Sequence, residues 1–183
     1  MRFRVWVFIS VLLFAAGIVF GQIASGSVAS LLGEDIAAIQ DLGNFLLSLP
    51  GALTALFIFL KNAMALLMGF VFSPLLCIVP ILTLTLNGAM LSLVSSLVIQ
   101  QASVGYVLAG LLPHGVLELP AIIIGEAAAM SFGVLVIMAI FRKESRQQLI
   151  PGLKRNLRYL ALGIILLVPA AIIETFVTPL LLT

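Results

Sequence analysis

Long apolar runs, with no alternation of period two, set the pattern of this chain. A helix that crosses a bilayer needs about 20 apolar residues at about 1.5 Å rise each. Four runs meet that length: Val5 to Ile23, Ala52 to Phe72, Leu75 to Ile99 and Tyr159 to Leu181. Pro74 and Pro80 predict a turn and a kink at the start of the third, and Pro169 predicts a kink in the last. The stretch from Tyr106 to Phe141 holds 36 residues before the next charged segment. That is too long for one span and too short for two with an ordinary turn. Pro113-His114-Gly115 is its natural break. The pattern therefore predicts a re-entrant half-helix over about 104–112, then a full span from about Val116 to Phe141. Between the first two spans, Ile36, Ile39, Leu42, Phe45 and Leu46 recur at three- and four-residue steps with acids opposite. That spacing predicts an amphipathic helix lying on the outer surface, with Glu34 or Asp35 near its N-terminal end, where the helix dipole favours negative charge. The expectation is an all-α protein, a polytopic transmembrane helix bundle of five spans plus the half-helix, forming one domain over residues 1–183.

Composition removes the soluble alternative. Of 183 residues, 63% are hydrophobic and 9% charged, where a soluble domain carries about a quarter charged residues. Runs this long without alternation favour helices over a barrel. The nine basic residues are unevenly placed. Arg2 and Arg4 precede the first run. Arg142, Lys143, Arg146, Lys154, Arg155 and Arg158 crowd a late segment, and Lys61 stands alone. Basic segments stay cytoplasmic, so the N-terminus and a basic loop over 142–158 are expected inside. The 24–48 segment has acids and no Lys or Arg, which fits the outside. Five spans from an inside N-terminus then place the C-terminus outside the cell membrane. A basic N-terminus before an apolar run also fits a signal peptide, but the chain starts at Met1 and the segment is read as a retained span. The basic segment is a topology signal, and no nucleic-acid partner is expected. The single Cys77 allows no intramolecular disulfide and reads as an inert apolar side chain. No visible internal repeat supports an inverted-repeat transporter.

Ionisable groups inside a membrane are costly and are functional candidates by default. Here they are Lys61, His114, Glu118, Glu126 and Glu174, joined by the amides Asn62 and Asn87. His114 and Glu118 share a helix face at four-residue spacing. Eight residues separate Glu118 from Glu126, about 80° of rotation, so both can face the bundle interior. Lys61, Glu118 and Glu174 fall at similar depths in three spans. These groups are expected to form one polar cluster of His114, Glu118 and Glu174, with Lys61 in ion-pair reach of Glu118, Glu126 or Glu174. Such a cluster serves either as a site for an ion, proton or small solute or as a hydrogen-bonded packing element. No motif calls for a cofactor. The ligand set leaves a metal open, yet lacks the His-Glu-x-x-His spacing of a zinc hydrolase. The sequence shows no nucleophile elbow either, so a metal-dependent intramembrane hydrolase ranks third.

The segment "PHGVLELPAIIIGEAA", 113–128, resembles the Pro-His-Gly-x-x-Glu pattern of the stage II sporulation protein M family. "FLKNA" at 59–63, "LNG" at 86–88 and "AAIIETFVTP" at 170–179 extend the resemblance over about residues 50–180. It implies Asn62, Asn87, His114, Glu118 and Glu174 as the family-pattern positions. It also implies a membrane scaffold or assembly component of a cell-envelope complex, since the family's namesake acts with two partner proteins in peptidoglycan remodelling during engulfment. Partners expected on this basis are the lipid bilayer, other membrane or envelope proteins and a second copy of the chain. The channel or transporter reading stands as the alternative. The chain departs from the pattern at Lys61, where a second Asn is common, and at Glu126 and Met130, where smaller or basic residues are expected.

Overall fold

The computed structural model describes residues 2–28 and 49–182. Five long helices, each long and apolar enough to cross a membrane, account for most of them. They are α1 (Phe3–Val28), α2 (Gly51–Phe72), α3 (Ile78–Gln101), α4 (Val104–Phe141) and α6 (Leu149–Phe176). A single turn, α5 (Lys143–Arg146), joins α4 to α6, and a 3₁₀ turn at Thr178–Leu181 follows α6. The described residues contain no strand. The amphipathic segment expected within 24–48 lies outside the described residues from position 29 onward.

The expected half-helix is not there. Residues 104–141 form one helix, with Pro113 and Pro120 inside it. Each proline removes an amide that would bond the carbonyl four residues back, here Ala109 and Val116. Membrane helices tolerate this where neighbouring helices pack against the freed carbonyls. The start is fixed instead by Ser103, whose hydroxyl accepts from the Tyr106 amide at 3.1 Å, as an N-cap should. At 38 residues the helix is about 57 Å long, roughly twice the hydrocarbon thickness, so it tilts or projects beyond the bilayer core.

The basic segment also differs from a loop. Only 142–148 connect the helices; Lys154, Arg155 and Arg158 stand in the first turns of α6. Charge sets which side a segment occupies and does not oppose helix formation, and Pro151 sits in the first turn, where proline is tolerated. Between α2 and α3, Leu76 and Cys77 take left-handed backbone angles, φ 54° and 56°, which close the tight turn around Pro74. Pro80 lies in the first turn of α3.

Small residues decide how the helices meet. Gly17 and Gly21 on α1 lie against the backbone of Thr85 and Ala89 on α3, so the two helices run parallel in a Gly-x-x-x-Gly contact. A Cβ at Gly21 would fall 2.8 Å from the Ala89 Cα. On α4, Gly125 seats the Leu66 side chain of α2, and Gly133 lies against the Ser73 backbone. The central core joins Leu66 and Phe70 of α2, Ala121, Ala128 and Ala129 of α4, and Leu160 and Leu167 of α6. The apolar residues left exposed on α1, Phe8, Phe20 and Ile23 among them, are an outer surface suited to lipid. Phe3 and Tyr159 stack with centroids 3.7 Å apart. This brings the Arg2–Arg4 terminus to the same end of the bundle as the basic start of α6.

Candidate functional site

Two registers build the site. Helices α4 and α6 are antiparallel, so each four-residue step forward on one meets a four-residue step back on the other. His114 thereby meets Thr178, and Glu118 comes level with Glu174. Helix α2 runs parallel to α4 and brings Asn62 to Glu118. The contacts follow from this geometry. Asn62 Nδ2 donates to Glu118 Oε1 at 2.9 Å. His114 Nε2 lies 3.9 Å from Glu118 Oε2. His114 Nδ1 is 3.4 Å from the Thr178 hydroxyl, which itself donates to the Ile173 carbonyl at 3.3 Å. The Thr178 hydroxyl thus lies between His114 Nδ1 and the Ile173 carbonyl, and His114 Nε2 is the ring nitrogen that faces Glu118. One ligand atom each from His114, Glu118 and Glu174 lie within 4.8 Å of one another.

The cluster opens into a cavity of about 450 Å³. Its walls come from α2 (Lys61), α3 (Asn87, Ser95, Val98), α4 (Tyr106, His114, Glu118, Ile122) and α6 (Glu174), with Phe14 of α1 at the base. Along α4 the lining runs from Tyr106 to Ile122, about 24 Å of helix, starting beside the α3–α4 connection. His114 and Glu118 side chains are 13% and 21% exposed, so both are sheltered yet reachable. A volume of several hundred Å³ with a few convergent polar groups is the scale of a small-ligand site.

The sequence candidates divide. His114, Glu118 and Glu174 come together, and Asn62 joins them through Glu118. Lys61 lines the same cavity but makes no ion pair: among the described residues no carboxylate lies within 4.0 Å of its ammonium. The expected Lys61 pairing is therefore corrected. Its side chain is exposed on the cavity wall and is not directed onto a carboxylate. Asn87 also lines the cavity, with its amide turned back on its own helix to the Thr83 carbonyl at 2.7 Å. Glu126 stands apart. It is fully buried against Gly69 of α2, and neither carboxyl oxygen has a hydrogen-bond partner among the described residues. Eight residues along α4 carry it about 12 Å from Glu118. Thr178 was not among the candidates; its only sequence signal is a hydroxyl four residues beyond Glu174. A second polar contact, Ser92 and Ser96 of α3 to the Gln22 side chain of α1 at 3.2 and 3.1 Å, was not among them either.

The profile of the family described as "Stage II sporulation protein M" matches residues 10–179. A protein of Methanocaldococcus jannaschii, described only as uncharacterized, is 25% identical over 179 residues, covering 96% of this chain and 95% of that one. No solved structure matches the chain.

Proposed function

The chain belongs to the stage II sporulation protein M family, and on that premise we propose an integral membrane protein that binds a cation or small polar solute, in the manner of a channel or transporter. One observation carries the reading: His114, Glu118 and Glu174, from two antiparallel helices, converge with Lys61 of a third on one cavity of about 450 Å³. Ionisable side chains in a span are expensive to keep. A packing element would close over them, whereas these line open space. Arg2, Arg4 and the start of α6 lie at one end of the bundle, and the cavity begins at the other. Basic ends stay cytoplasmic, so the N-terminus is cytoplasmic, the C-terminus lies outside the cell membrane, and the cavity opens outward.

A second reading rests on the family match: the bundle as a membrane scaffold for envelope partners, with the polar groups fixing its packing. Water access separates the two. In a Cys77→Ser background, Val107→Cys and Ser95→Cys line the cavity, and Leu108→Cys faces away from it at an exposed position. A membrane-impermeant thiol reagent added to intact cells is expected to label the first two and spare the third. Protection of all three sinks the binding reading and leaves the scaffold.

A further inference from the structure

Building on that binding reading, we propose that the cavity holds one divalent first-row transition-metal ion, ligated by His114 Nε2, Glu118 Oε2 and a Glu174 carboxylate oxygen. The argument starts from which atoms are already used. Asn62 occupies Glu118 Oε1 at 2.9 Å, and Thr178 engages His114 Nδ1 at 3.4 Å. The remaining atoms of both side chains, Oε2 and Nε2, face one another at 3.9 Å. Metal sites are organised in this way: the far nitrogen of a ligating histidine and the spare oxygen of a ligating carboxylate are held by outer hydrogen bonds, which fix the tautomer and aim the ligand atom. An ion about 2.0–2.2 Å from each donor holds donors roughly 3–3.5 Å apart. The pair has only about half an ångström to close. A Glu174 carboxylate oxygen is the third donor, the ligand atoms of the three residues all lying within 4.8 Å of one another.

The donor set names the class of ion. Imidazole nitrogen with two carboxylates suits Zn²⁺, Mn²⁺, Fe²⁺ or Co²⁺, whereas Mg²⁺ and Ca²⁺ prefer oxygen alone. Three protein ligands leave coordination positions open, and these face the cavity, so the ion is exchangeable. Charge supports occupancy. Two carboxylates attract a dication, and Lys61, the opposing charge, lies beyond 4.0 Å and takes none of the oxygens the ion needs. Glu126 cannot contribute from its place against Gly69.

The test uses the full chain purified in detergent, stripped with chelator and dialysed against ZnCl₂, with MgCl₂ in parallel, and bound metal read by elemental analysis. One zinc per chain and no retained magnesium are expected. Glu174→Gln and His114→Asn should abolish stoichiometric zinc, and Glu126→Gln should keep it. Thr178→Val, which removes the outer hydrogen bond to His114 together with the hydroxyl's bond to the Ile173 carbonyl, should weaken zinc binding by about 10–100-fold without loss of the fold. Lys61→Met should tighten it. Absence of zinc from the folded wild-type chain overturns the proposal, as does zinc retained equally by Glu174→Gln and His114→Asn. Thiol labelling of the cavity without zinc binding sinks the metal alone and leaves the binding reading. Zinc binding without labelling keeps the metal site and removes the outward opening.

Discussion

Replacing Glu126 with methionine should stabilise the protein. The side chain is 0% exposed, both its oxygens lack a hydrogen-bond partner among the described residues, and Gly69 opposite leaves it just enough room. A Cβ on Gly69 would come within 2.7 Å of Oε1. An unsatisfied buried polar group costs about 1–3 kcal/mol. A swap that conserves volume costs under about 1.5 kcal/mol in packing. Methionine matches the glutamate in length and flexibility, so the polar cost is removed with little strain in return. A net gain of about 1–2 kcal/mol is expected, or roughly 2–8 °C in Tm for a chain of this size. The single Trp6 allows a fluorescence thermal scan in detergent. Glu126→Gln, which keeps two polar atoms in the same place, should gain much less. A fall in Tm for Glu126→Met beside a neutral Glu126→Gln would refute the reasoning, because it would mean that the carboxyl has a partner, such as an ordered water.

Two further outcomes follow from the packing and from the charge. Gly21→Leu puts a side chain into the Ala89 backbone, which cannot yield, and should cost about 2–3 kcal/mol, a Tm drop of roughly 4–12 °C; Gly105→Leu, where a Cβ would meet only Ser103 Oγ at 3.8 Å, should be nearly silent. In intact cells lacking Cys77, an impermeant thiol reagent should label Ala102→Cys and spare Gln148→Cys, and the opposite pattern would invert the topology.

The spans were legible because bilayer thickness imposes one length on every apolar run. The second was expected at Ala52 to Phe72 and is found at Gly51–Phe72. The expectation failed where a local rule met a packed environment. Pro113 removes one amide and Gly115 weakens the helix, but neither ends it: the turns on both sides keep their own bonds, and α4 is held elsewhere along its length by α6, α1 and α2. The site was legible in part for the same kind of reason. Four-residue spacing alone puts His114 beside Glu118. Glu174 could be matched only by depth. Thr178 needed the register between α4 and α6, which no spacing within one segment contains. Glu126 faces the bundle interior, as the roughly 80° of rotation from Glu118 allows. That angle is enough to turn it from the cavity onto α2.

The spread of glycines along α4 explains why the polar residues near the α3–α4 end meet open space while Glu126 is sealed. Toward the basic end, Gly125 and Gly133 have neighbours so near that a Cβ would come within 2.7 Å of Leu66 and of the Ser73 backbone. Ala127, Ala128 and Ala129 between them are fully buried. Small side chains let the helices close on one another around Gly125 to Ala129, and from Ser131 onward a second cavity of about 520 Å³ opens at the basic end. Toward the other end, Gly110 and Gly115 have no foreign atom nearer than 3.8 Å to such a Cβ. The helices stand further apart, and the gap becomes the cavity that His114 and Glu118 face. One helix thus carries a clamp and a mouth in series, with Glu118 facing the mouth and Glu126 sealed without a hydrogen-bond partner in the clamp. Binding from one side needs only the mouth. Carriage across the membrane would require the clamp to part, and the contacts that must break are those of Gly133 with Ser73 and of Gly125 with Leu66.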